Sequence, residues 1–233
     1  MMAILAPLDI AGLVVFGVCW WGYPWYAERR ERYSPGLVAL TNQYRYEWMR
    51  QMLARELRMV DTSLITTLTQ SSVFFSSTTV LIIGGLLALT GTSETMQAAL
   101  GKLPGAVRTS EQLWEIKLLV LVAIFVYAFF KFTWSLRQFN FVGILVGAAA
   151  PREAGPEDDV WQRAGAMAVL AAEDFNQGLR AYYFAFAAIG WFVNPGVFIA
   201  ATIVVVGILY VLEFRSNAVR VLGGEWPGEG RDR

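Results

Sequence analysis

The stretch DTSLITTLTQSSVFFSSTTVLIIGGLLALTG, residues 61–91, decides the fold class of this chain. Eleven of the nineteen residues from Asp61 to Thr79 are Ser or Thr, and the next ten are apolar apart from two glycines. A hydroxyl in a membrane helix can donate to the carbonyl one turn earlier, so such residues are tolerated there without another partner. The stretch therefore predicts a helix that enters a lipid bilayer through a polar section.

The composition of the whole chain is that of a membrane protein. Of its 233 residues, 56% are hydrophobic and only 16% are charged, whereas a soluble domain carries about a quarter charged residues. Apolar runs long enough to cross a bilayer recur along the sequence. We therefore predict an all-α integral membrane protein, a bundle of about five transmembrane helices with long cytoplasmic helical extensions, forming a single membrane domain over 1–233.

Five apolar runs are the predicted spans, at about 4–26, 66–90, 114–134, 178–193 and 196–214. The fourth is the shortest, because Ala181 to Val193 offers only thirteen residues before the breaker Asn194-Pro195-Gly196. It either crosses as a tilted span or dips in as half of a re-entrant hairpin, and we favour the tilted span. At its start, Arg180 would have to reach the interface.

The positions of the basic residues predict the orientation. Of nineteen Lys and Arg, sixteen lie in 29–58, 131–180 and 215–233, and three lie in 102–117. The positive-inside rule then places the N-terminus outside and the C-terminus in the cytoplasm. We interpret the membrane as a bacterial inner membrane. The cytoplasmic helical segments would be about 36–65 and 135–177. Because no Pro or Gly interrupts 42–60, we expect one continuous helix, capped by Asn42, to run into the second span.

Several function classes are excluded by what the sequence lacks. Without histidine, and with Cys19 as its one cysteine, the chain cannot form His-based metal sites or Ser-His and Cys-His nucleophilic pairs. No carboxylate pair has a spacing diagnostic of acid–base catalysis. We therefore expect no enzyme activity, no cofactor and no metal site, and a net charge of zero suggests no nucleic-acid partner.

The hydroxyl-rich helix is the first candidate site. On a helix, its polar residues form a band of possible lining groups: Thr62, Thr66, Thr69, Gln70 and Ser76. One interpretation is tight packing between helices, with hydroxyls that bond across them. A second is a polar wall that offers oxygen ligands to an ion when several copies surround an axis. A groove for a lipid or small ligand is the third.

Charged and polar residues near the cytoplasmic ends of the spans form the second candidate site. Charge inside a membrane is often functional, but these residues can equally pair with arginines of neighbouring helices. Lys131, near the end of the third span, is expected to reach the interface. The candidate cluster comprises Arg58, Asp61, Glu173, Asp174, Asn176 and Arg180.

Three stretches resemble one family of bacterial and plant membrane proteins, that of domain of unknown function 599. They are TQSSVFFSSTTVLIIGGLLAL (69–89), FKFTWSLRQFNF (130–141) and FNQGLRAYYFAFAAIGWF (175–192). The resemblance extends over roughly residues 5–220, and GLRAYYF with the preceding Asn176 is its most specific part. It implies a multi-span membrane protein, and it brings no activity, cofactor or site residue with it.

Two functions fit these observations. The first is an oligomeric channel or passive transport protein, a homo-oligomer lined by the helix 62–79. The alternative is a non-catalytic accessory or scaffold protein whose cytoplasmic helices bind a partner protein or anionic lipid. Contact with anionic lipid would use the basic residues of the first cytoplasmic segment: Arg29, Arg30, Arg32, Arg45, Arg50 and Arg55.

Overall fold

The computed structural model describes residues 5–90, 96–98, 102, 105, 107, 109–149 and 159–224. All regular secondary structure in this part of the chain is helical, which confirms the all-α prediction. The main helices are α1 (Pro7–Glu31), α2 (Leu37–Leu53), α3 (Met59–Ala88), α4 (Glu111–Ala148), α5 (Val160–Ile189), α6 (Pro195–Phe214) and the short α7 (Asn217–Leu222).

Four stretches of helix are long and apolar enough to cross a membrane. They are α1, α3, α4 and Pro195–Leu222, which contains α6 and α7. The chain is therefore a helical membrane protein, as the composition predicts. The predicted fourth span is not among the four, because α5 combines a polar first half with a short apolar second half.

The described residues group into two compact units. Unit 1 comprises Met1–Ser34, Thr79–Ala128 and Leu179–Leu212, and unit 2 comprises Pro35–Thr78, Phe129–Gly178 and Glu213–Arg233. Helices α3, α4 and α5 each contribute residues to both units.

One side of the apolar half of α5 is buried inside unit 1, whereas Phe186 and Ile189 on its other side are exposed. Phe184, Ala185 and Ala188 are at most 2% exposed, and the Phe184 ring lies 5.4 Å from that of Phe16 on α1. A 3-10 turn, Gly190–Phe192, follows α5. The Asn194 side chain then accepts the backbone N–H of Val197 and caps α6, so the predicted breaker does end one helix and begin another.

The core of unit 2 forms where α2, α3, α4 and α5 meet. It comprises Met49, Met52, Ile65, Val142, Val146, Ala164 and Ala168. The small residues of α5 recur every four positions, so they face one side of the helix and let its neighbours approach closely. The two methionines are fully buried, because α2 turns its apolar side toward this core.

The prediction of one continuous helix from 42 into the second span is wrong. Helix α2 begins at Leu37, after the N-cap Gly36, and ends at Leu53, and α3 begins at Met59. The indole N–H of Trp48 donates to Asp61 over 2.8 Å. In an unbroken helix these residues would be about 20 Å apart along the axis. The chain therefore breaks between the two helices so that Asp61 can reach Trp48.

Candidate functional site

One side of α3 is polar and uncovered by the rest of the described chain. Thr62, Thr66 and Gln70 are exposed. The Thr66 hydroxyl donates to the Thr62 carbonyl over 2.9 Å, and Thr62 donates in the same way to Met59 over 2.8 Å. We call this surface the outer hydroxyl face; its exposed polar residues are Thr62, Ser63, Thr66, Thr67, Gln70, Ser71 and Ser77. The exposed side chains of Val73 and Phe74 lie among them.

The opposite side of α3 packs inside the protein. Ser72 is fully buried, and its hydroxyl lies 3.2 Å from that of Ser135 on α4. Ser135 in turn donates to the Ala171 carbonyl on α5 over 2.7 Å. Further along α3, the Thr79 hydroxyl lies 2.8 Å from that of Tyr182 on α5. These hydroxyls bond between helices, as the packing interpretation of the stretch expects.

The five predicted lining residues do not all lie on the outer hydroxyl face. Thr62, Thr66 and Gln70 are on it, Thr69 is half-buried, and Ser76 is buried and donates to the Val73 carbonyl over 2.9 Å. The helix thus divides its hydroxyls between an exposed set and a packed set. Only the exposed set is available to water or another molecule.

Asp174 is the centre of a buried polar group in unit 2. Its carboxylate accepts the Lys131 ammonium over 2.8 Å and the Gln138 amide N–H over 2.9 Å. Asp174 and Gln138 are 9% and 6% exposed, and the Gln138 amide oxygen has no hydrogen-bond partner. Lys131 on α4 therefore pairs with Asp174 on α5.

Asp61 forms a separate group with different partners. Its Oδ1 accepts both the Trp48 indole N–H and the Arg55 guanidinium, each over 2.8 Å. Its Oδ2 is buried without a hydrogen-bond partner. Arg58, a member of the same candidate cluster, donates to the Val146 and Ala149 carbonyls at the end of α4 over 3.2 and 3.3 Å.

The other members of the predicted cluster are not bonded to Asp174. Glu173 and Asn176 are half-buried. Burial lowers the pKa of Arg45 from its ordinary value, and the negative charge of the Glu173 carboxylate opposes that shift. The Arg180 guanidinium belongs to unit 1, where it lies 5.3 Å from the centre of the Tyr23 ring.

The predicted basic surface divides in a similar way. Arg32, Arg29 and Arg50 are exposed, although Arg29 stacks on Trp25 and Arg50 pairs with Glu47. The others bond nearby groups: Arg30 donates to Tyr26, Arg45 to Thr41 and Asn42, and Arg55 to Asp61.

A buried charged group in unit 1 escaped the sequence analysis. Asp9 is 4% exposed and accepts the Trp191 indole N–H over 2.7 Å. Lys117 is 3% exposed and donates to the Trp191 carbonyl over 2.9 Å and to Thr109 over 3.3 Å. The available signal was a charge within each of two apolar runs, but nothing in the sequence connects them to Trp191.

These contacts limit the chemistry of the described residues. Asp9, Lys117 and Lys131 each hold a polar partner, as charges away from water require. Within the described ranges, no three Cys or acidic residues lie where they could hold a metal ion. The outer hydroxyl face can offer oxygen atoms and one amide to water, an ion or a neighbouring molecule.

The fold and these sites define a polytopic helical membrane protein with buried ion pairs and a polar face on one of its membrane helices. The chain belongs to the family described as "Protein of unknown function, DUF599", whose model matches residues 11–218. This confirms the resemblance found in the sequence. No curated protein matches the chain. No solved structure matches it either.

Proposed function

We propose that this protein is the subunit of a homo-oligomeric channel or passive transport protein. Several copies would surround an axis with the outer hydroxyl face of α3 turned toward a water-filled path. A polar solute or ion would then cross along hydroxyl and amide oxygens, without any covalent step.

The observation that carries this proposal is the exposure of Gln70 on a helix suited to cross a membrane. The Thr and Ser hydroxyls near it can bond to their own helix, but the Gln70 side-chain amide makes no hydrogen bond to another described residue. Placing an amide in an apolar medium without a partner costs roughly 2–7 kcal/mol. Water or a neighbouring copy would remove that cost.

The proposal includes five spans in a bacterial inner membrane, with the N-terminus outside and the C-terminus in the cytoplasm. The burial of Phe184, Ala185 and Ala188 supports α5 as the short span, because one side of its apolar half packs against protein while Phe186 and Ile189 remain exposed to lipid. A polar entrance to the span is tolerated where it faces protein rather than lipid.

The second candidate is an accessory or scaffold protein that binds a partner protein or anionic lipid. Its support is the exposure of Arg29, Arg32 and Arg50 in the first basic segment. Each exposed basic residue near an anionic leaflet contributes about 1 kcal/mol to membrane attraction. This function needs no water-filled path.

Conductance across planar bilayers tests the two functions against each other. We expect discrete currents from the purified protein, and a loss or altered ion selectivity in the variant Thr66→Val, Thr67→Val, Gln70→Leu. These changes remove oxygen atoms from the outer hydroxyl face and leave the buried Ser72 and Ser76 intact.

The matched control is Leu64→Val with Leu68→Val, which alters exposed apolar residues of the same helix. The control should conduct as the native protein does. Silence of the native protein over a range of voltage and pH, in a folded oligomeric sample, would contradict the channel and favour the scaffold. Equal currents from all three proteins would show that the outer hydroxyl face does not line the conduction path.

A further inference from the structure

We propose that a groove on unit 1 binds a membrane phospholipid with a primary ammonium headgroup. The groove has a volume of about 530 Å³ and lies between the end of α3 and the start of α4. Binding pockets for small ligands commonly enclose 300–1,000 Å³, so the groove has room for part of one lipid. We call it the lipid groove.

The polarity of the lipid groove changes along its length. Thr90 follows the last turn of α3, and Gln112 and Glu115 lie in the first turns of α4. Its apolar lining lies further from these helix ends and includes Leu86, Leu119 and Val122. A phospholipid has the same order, because its polar headgroup lies at the interface and its chains extend along the apolar section.

Charge selects the headgroup. Glu115 is the one charged residue among the lining residues that the structure describes, and it is exposed. A carboxylate at the rim attracts a cationic hydrogen-bond donor and repels a headgroup with net negative charge. Thr90 and the Gln112 amide can donate hydrogen bonds to a phosphate. The ammonium and phosphate of phosphatidylethanolamine meet both requirements.

The apolar section is open to an occupant. Leu119 is 68% exposed, and Leu87 beside it is 56% exposed. Both belong to helices suited to cross a membrane, so in a bilayer an acyl chain would contact them. This proposal does not depend on conduction, because it concerns the headgroup preference of a groove in unit 1, whereas the outer hydroxyl face belongs to unit 2.

Native mass spectrometry tests the lipid groove directly. The protein is reconstituted in vesicles of equal parts phosphatidylethanolamine, phosphatidylglycerol and phosphatidylcholine, released in mild detergent, and examined for retained lipid. We expect preferential retention of phosphatidylethanolamine. Glu115→Gln should reduce that preference roughly two- to fivefold, the effect of one exposed ion pair. Glu115→Lys should shift the preference toward phosphatidylglycerol.

The matched control is Glu111→Gln, which removes an exposed carboxylate one turn earlier that is not among the lining residues. It should keep the native preference. Crosslinking from a phosphatidylethanolamine with a photoreactive chain should label peptides that contain Leu119 and Val122. The proposal is overturned if Glu115→Gln and Glu111→Gln behave alike, if no lipid is retained, or if the photoreactive lipid leaves the peptides of Leu119 and Val122 unlabelled.

Discussion

At the scale of single residues, the buried charges are where sequence and structure differ most. Lys131 and Asp174 were each identified as charges near a span end, but they are 43 positions apart and lie on different helices. Their pairing depends on how α4 packs against α5, which one sequence without an alignment does not reveal. The exposure of Thr62, Thr66 and Gln70 is simpler to explain, because neighbouring helices cover only the other side of α3.

Removing one charge of the Lys131–Asp174 pair should destabilise the protein. Asp174→Asn leaves the Lys131 ammonium, 27% exposed, without its counter-charge. We expect a loss of about 3 kcal/mol in the free energy of unfolding, the lower end of the range for a broken buried pair. Thermal unfolding in detergent, followed by circular dichroism, measures this loss.

The double variant Lys131→Met, Asp174→Asn separates pairing from packing. Because it removes both charges, it should be more stable than Asp174→Asn alone. If the two single losses simply add in the double variant, the residues do not act as a pair.

At the scale of elements, helix positions follow from the sequence better than helix ends. The four predicted spans other than the short fourth one each coincide with a helix, and the Asn194-Pro195-Gly196 breaker marks the start of α6. The sequence did not predict the break between α2 and α3, because residues 54–58 contain no Pro or Gly. Contacts of Asp61 with Trp48 and Arg55 override the local helix preference there.

The contact between α4 and α5 depends on a residue with no side chain. A Cβ atom on Gly178 would lie 2.6 Å from Phe132, a fully buried ring stacked 5.1 Å from Phe75. Because that ring has no room to turn, Gly178→Ala should lower stability by roughly 1–3 kcal/mol. Chemical or thermal unfolding in detergent gives the value.

Gly143→Ala is the matched control on α4. Nothing lies within 4 Å of a Cβ at Gly143, so the better helix propensity of Ala should stabilise the protein by roughly 0.5–1 kcal/mol. Adding Phe132→Leu to Gly178→Ala should recover part of the loss. Equal effects at the two glycines would show that Phe132 does not limit the space at Gly178.

At the scale of the whole molecule, the number of membrane crossings determines on which side of the membrane each connecting segment lies. Composition alone indicated a membrane protein. Hydropathy does not identify α5 as a membrane span, because its apolar half is short and begins beside Arg180. The burial of one side of that half inside unit 1 becomes visible only when α1 and α4 pack against it. Five crossings place Ser34 and Asn217 on one side, and four place them on opposite sides.

Thiol labelling distinguishes these topologies. In a Cys19→Ala background, single cysteines at the exposed positions Ser34, Lys102 and Asn217 are treated with an impermeant maleimide in intact cells. We expect labelling at Lys102 alone, since the positive-inside rule puts Ser34 and Asn217 in the cytoplasm. Labelling of all three after the membrane is opened is the control, and labelling of Asn217 in intact cells would contradict five spans.

The shortness of the apolar half of α5 also bears on how the chain is inserted during synthesis. Its helical part in unit 1, Leu179–Ile189, is shorter than the about 20 apolar residues by which a segment partitions into lipid unaided. α1, α3 and α4 emerge from the ribosome before it, and the strongly apolar α6 follows directly after the 3-10 turn. Biogenesis would therefore bring α5 and α6 into the bilayer together as a hairpin, onto helices that are already in place.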